Sequence, residues 1–134
     1  MKFIELPMII CIKSGKSIGL SHYVMDIPEN SEHVETLKPL IDEKTITINV
    51  EEVVCEKKGH FYVIKLICSV EKIESFIISL DYTIPFQTFM KINSFFGKNC
   101  KLSNLDSDKA IILIKEITDS FDPLINVALN NETK

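Results

Sequence analysis

KGHFYVIKLICSVEKIESFIISLDYTI, residues 58–84, is the most regularly patterned part of the chain. It holds two apolar runs, Phe61 to Val70 and Ile73 to Ile84, with only Glu71-Lys72 between them. Each run is rich in β-branched and aromatic residues, and each alternates. Tyr62, Ile64, Leu66, Cys68 and Val70 share one face of the first run; Phe76, Ile78, Leu80, Tyr82 and Ile84 share one face of the second. A two-residue connection between period-2 runs predicts an antiparallel hairpin. Glu71-Lys72 lacks the glycine that makes positive φ easy, so the turn type stays open. The opposite face sets Phe61, Val63, Ile67 and Ile77 among Lys65, Ser69, Ser75, Ser79, Asp81 and Thr83. That is more apolar than a solvated sheet face normally is. Another layer or subunit is expected to cover it, or an apolar ligand to bind it.

The chain has 134 residues, the length of one domain, so residues 1–134 are read as a single domain. An apolar content of 46% excludes a disordered chain. All fifteen basic residues are lysine and the net charge is −4, which argues against nucleic acid as a partner, because arginine forks and a basic surface are then expected. Cys11, Cys55, Cys68 and Cys100 form no CxxC pair and are expected to be reduced and buried. In the N-terminal MKFIELPMIICI, Glu5 and Pro7 interrupt the apolar run and no small-residue cleavage site follows. No apolar run approaches the ~20 residues of a membrane helix. The expectation is a cytoplasmic protein without membrane insertion.

Outward from the hairpin, Met8 to Ile12 and Ile18 to Met25 read as one strand broken or bulged at Gly15, or two short ones. Asp26 to Lys44 carries Pro28, Pro39, Asn30, Ser31 and several acidic residues and reads as a long surface connection. Thr45 to Cys55 is a strand in which Glu51-Glu52 slips the phase, predicting a bulge. Lys57 to His60 is a turn. After Pro85 the period changes to helical: Phe86, Phe89, Met90, Asn93 and Phe96 recur at 3/4 spacing and Gly97 fits the stop. Lys98 to Asp106 is loop-like. Asp106 or Ser107 can cap a second helix, Asp108 to about Phe121, with apolar positions Ala110, Ile111, Ile114, Ile117 and Phe121 and with Ile112 and Leu113 off that stripe. Pro123 ends it, and Asn130 to Lys134 is expected to fray.

Chemistry-bearing motifs are sparse. Ser14-Gly15-Lys16-Ser17 matches the end of a phosphate loop, but Ile10 stands where that loop needs its first glycine. His22, His33 and His60 have no ligand spacing, so no metal is expected. Nucleophile signatures such as GxSxG are absent. The expectation is no enzyme and no cofactor.

The order of elements resembles the SecB family of export chaperones and the SecB-like chaperones of toxin–antitoxin systems. Gly97-Lys98-Asn99-Cys100 is similar to that family's Gly-x-x-Cys after its first helix. Phe121-Asp122-Pro123-Leu124, with Asn126, is similar to its Phe-Pro-x-Leu-Asn run after the second, and Phe76 to Phe86 resembles its fourth strand. Lys101 replaces the family's proline, and its second-helix arginine is absent. The expected fold is α+β: a four-stranded antiparallel sheet followed by two C-terminal helices. The resemblance implies a homo-oligomer, a tetramer built as a dimer of dimers or a dimer. It further implies an ATP-independent holding chaperone, active in protein transport or a toxin–antitoxin system, that binds unfolded polypeptides in hydrophobic grooves. Val63, Ile67 and Ile77 of the second sheet face, with Phe86 and Phe89 of the first helix, are the candidate client-binding residues. The rival expectation is a dedicated adaptor for one folded partner protein, of phage or plasmid origin.

Overall fold

The computed structural model describes residues 2–14, 16–104 and 108–129. In chain order it contains strands β1 (Phe3–Ser14) and β2 (Lys16–Pro28), helix α1 (Val34–Glu43), and strands β3 (Ile46–Lys58), β4 (Phe61–Val70) and β5 (Ile73–Ile84). Helix α2 (Phe86–Phe96), the short strand β6 (Asn99–Lys101), a 3-10 turn at Leu102–Asn104, helix α3 (Asp108–Ser120) and strand β7 (Leu124–Leu129) complete it.

The central hairpin forms with the expected limits and the expected inward faces. Ile64, Leu66, Cys68, Phe76, Ile78 and Leu80 are essentially inaccessible. The turn is solved by left-handed backbone at Lys72 (φ 76°) and again at Ser75 (φ 62°). Val70 pairs with Ile73 but Ser69 already pairs with Ile77, so β5 carries its slack just after the turn. The Lys72 ammonium donates to both Glu43 carboxylate oxygens at 3.0 and 3.1 Å, tying the turn to the end of α1. Both groups are exposed, so the link contributes at most ~1 kcal/mol.

The bulge also forms. Val50 pairs with Cys68 and Glu52 with Ile67, leaving Glu51 as the extra residue. Were β3 to run regularly through Glu51 instead of bulging there, Val53 and Cys55 would face outward rather than into the core, because a one-residue slip inverts every later side chain. At this point the neighbour of β3 changes. Ile46–Val50 lie beside β1 in parallel, whereas Glu52–Val54 lie beside β6.

The expected four-stranded antiparallel sheet with two C-terminal helices is overturned. Among the described residues, seven strands form one mixed sheet in the order β2-β1-β3-β4-β5-β7, with β6 against β3, and there are three helices. Three differences account for this. The N-terminal segment makes two long strands, β1 and β2, paired antiparallel. Gly15, where the break was expected, lies outside the described residues, as do Asp106, Ser107 and Asn130 to Lys134. The supposed surface connection holds α1, which buries Leu37 and Leu40 despite Pro39 within it and ends in a left-handed Lys44. The residues after Pro123 form β7, which pairs with β5.

The core lies between one face of the sheet and the helices. Among the described residues its buried apolar set includes Leu37 and Leu40 of α1, Phe89, Ile92 and Phe96 of α2, and Leu113, Ile114 and Ile117 of α3. Helix α2 packs on β3 and β4, and α3 on β2. One cavity of about 300 Å³ is lined from both β2 and β7, the two ends of the strand order, so the sheet is curled until its edges approach. No described helix is long and apolar enough to cross a membrane.

Candidate functional site

The five candidate residues do not form one patch. Val63, Ile67 and Ile77 do lie on the sheet face turned away from the core, but at different depths. Val63 is only 6% exposed, while Ile67 and Ile77 are half-buried. Four residues of strand put ~13 Å between Val63 and Ile67. Ile67 stands opposite Ser79 and Ile77 opposite Ser69, so each isoleucine has a hydroxyl as its cross-strand neighbour. Both border a cavity of about 580 Å³ at the turn end of the hairpin, with Glu51, Ser69, Lys72 and Ser75.

Hydrogen bonds make this outer face wetter than its composition suggests. Ser69 Oγ donates to Glu51 Oε1 at 2.8 Å, and Ser79 Oγ to Asp81 Oδ1 at 2.8 Å. Asn126 Nδ2 donates to Asp81 Oδ2 at 3.3 Å. Lys65 and Lys58 sit 4.0 and 3.5 Å from Glu56. Serine hydroxyls and carboxylates partner one another here, which is how a face with isoleucines can still stand in water.

Phe86 and Phe89 occupy the other end of the hairpin and have different environments. Phe89 is 9% exposed and lies against Tyr62, ring centroids 4.9 Å apart. Phe86 touches the same ring at 5.1 Å yet is 53% exposed. Met90, four residues on from Phe86 and so on the same helix face, is 47% exposed. Phe86, Met90 and the Tyr62 edge therefore make an aromatic and thioether patch on α2, held in place by the buried Phe89. The sequence stripe Phe86, Phe89, Met90, Asn93 and Phe96 does not match the buried stripe, which is Phe89, Ile92 and Phe96. The helix is apolar over most of its circumference, so spacing alone could not choose its inner face.

Other chemistry is scarce. Among the described residues no cluster of three or more His, Cys, Asp or Glu side chains could hold a metal ion. The four cysteines are free; Cys11, Cys55 and Cys68 are buried and Cys100 half-buried. Burial pushes the Cys55 thiol up to about 11, with Cys100 adding to it. Burial likewise raises Cys68, with help from Glu51, and Cys11, with help from Glu71. Thiols held protonated in this way are poor nucleophiles.

One feature escaped the sequence reading entirely: the cavity between the sheet edges, with Met25 and Ile27 of β2, Leu37 of α1, and Ile125 and Val127 of β7 in its walls. Its signals were the alternation Ile125, Val127, Leu129 after Pro123 and the helical spacing Val34, Leu37, Leu40, Ile41. Comparison with protein-family models, curated proteins and solved structures finds no match.

Proposed function

We propose that the protein is a polypeptide-binding protein that works without nucleotide, as a holding chaperone for chains with exposed apolar segments. The observation that supports this best is the solvent-facing Phe86–Met90 patch on a helix whose other side is firmly packed. Methionine and aromatic side chains suit promiscuous contact, because the thioether chain is adaptable and the rings are large and stiff. Capture would follow from burial of client apolar area, at ~25 cal/mol per Å². Further exposed apolar residues, Phe61 (63%), Ile112 (63%) and Leu124 (67%), are candidates for contacts between copies in a dimer or tetramer.

The test is suppression of aggregation of two unrelated unfolded clients by the unmodified protein and by a Phe86→Ser/Met90→Ser variant, with thermal unfolding of both proteins in parallel. Suppression by the unmodified protein, lost in a variant that melts within a few degrees of it, supports the proposal. No suppression of either client removes the general chaperone and leaves the adaptor for one folded partner.

A further inference from the structure

The six-strand path runs from β2 to β7 with a single parallel junction, between β1 and β3. Every other junction on it is antiparallel. Alternating direction along that order makes β2 and β7 run the same way. The two edges therefore face each other across their shared cavity as parallel neighbours. A single strand placed between them would be antiparallel to both.

Both edges are also open to a further strand, and β7 has no edge protection of its own. Among the described residues β2 pairs only with β1 and β7 only with β5, so each has a row of backbone groups without a sheet partner. Natural edges are normally blunted by lysine, proline or a bulge turned outward. Strand β7 reads LINVAL, without a single charge or proline, whereas the cavity-lining part of β2 carries one charge, Asp26, and ends in Pro28, with no lysine from His22 to Pro28. The cavity is about 300 Å³, room for on the order of ten waters, so side-chain packing does not close it. Met25, Ile27, Leu37, Ile125 and Val127 supply the apolar part of its lining, beside the polar Ser31, His33 and Asn126. Its outer rim is acidic on the β2 side: Glu5 and Asp26 stand directly opposite each other and both are exposed. Like charges in that relation repel, and a cation beside them would relieve it.

We infer that this slot takes one extended segment of another polypeptide as an added strand, with apolar side chains turned inward and lysine or arginine turned outward. Backbone hydrogen bonds to both edges supply affinity irrespective of sequence, and the alternation supplies preference. The inference rests on the proposed polypeptide binding but places it at a second surface, remote in sequence from Phe86 and Met90.

The probe is a fluorescein-labelled peptide of about six residues, alternating valine and lysine, with a control N-methylated at alternate amides. Anisotropy measures binding, and amide hydrogen exchange of the complex locates it. Saturable binding is expected, with slowed exchange in both 22–28 and 124–129. N-methylation should weaken it by more than about tenfold, because several backbone hydrogen bonds are lost, and Asp26→Lys by roughly fivefold. The Phe86→Ser/Met90→Ser variant should bind the peptide as the unmodified protein does, so loss of client holding and loss of slot binding are read separately. Slowed exchange at one edge only, or equal affinity for the N-methylated peptide, overturns the inference. So does protection of both edges without peptide: dependence on protein concentration would assign the slot to a second copy, and independence to the chain itself.

Discussion

Phe86 and Phe89 are three residues apart, touch the same tyrosine, and should respond very differently to alanine. Phe89 is 9% exposed and packs on Tyr62 at 4.9 Å. Removing a buried phenylalanine removes its transfer free energy and leaves a cavity, which together cost about 3–5 kcal/mol. Phe86 is 53% exposed, so roughly half of a full burial term is at stake, ~1 kcal/mol. Its ring contact with Tyr62 at 5.1 Å adds about 0.5–1 kcal/mol. Phe86→Ala should therefore cost ~1.5–2 kcal/mol and Phe89→Ala about twice that. Against a total stability of about 5–15 kcal/mol, the second is a large fraction. Urea titration followed by far-ultraviolet circular dichroism separates the two, with the slope unchanged if both variants unfold in two states. Equal losses, or a larger loss at Phe86, would refute the placement of α2 and with it the claim that Phe86 and Met90 face solvent.

Three further outcomes follow from the fold. Deleting Glu51 should leave the protein folded, since Val50, Glu52 and Val53 would then alternate regularly, whereas deleting Val54 turns Cys55 outward and should abolish cooperative unfolding; thermal melts of the two deletions decide. The buried thiols imply an alkaline limit. The folded state holds their protons more tightly than the unfolded chain, where thiols titrate near 9.0, so stability is fully present below that pH and falls as pH rises from about 9 towards 11 for Cys55. Denaturant midpoints measured across that range should decline, and less steeply in a Cys55→Ala variant. Ile114→Ser, at a fully buried position of α3, should destabilise far more than Ile112→Ser at an exposed one, and the difference in melting temperature measures it.

The parts of the fold legible in the sequence were those with uninterrupted periodicity. The hairpin 61–84 was readable to the residue because two alternating runs met at a two-residue joint. The bulge was readable because Glu51-Glu52 broke a regular alternation. Both C-terminal helices were readable in extent but not in orientation: Ile112, set off the stripe, is exposed, while Leu113, set off the same stripe, is buried. Helix α1 was hidden by Pro39 and its acidic surroundings, although Leu37 and Leu40 gave it an inner face. Strand β7 was hidden by brevity, since six residues after a proline resemble a tail until a partner is known. The patch was half legible: Phe86 was among the candidates, and Met90 stood only in the helical spacing. The slot was not legible, because it is made by strands at opposite ends of the sheet order, and no local pattern says that a sheet curls.

Polypeptide capture is tested most directly by size-exclusion chromatography with light scattering of the protein mixed with an unfolded client, without nucleotide. A co-eluting complex whose mass is the sum of client and protein is expected, at the expense of aggregate in the void volume. Protein eluting at its own mass while the client aggregates as it does alone would contradict it.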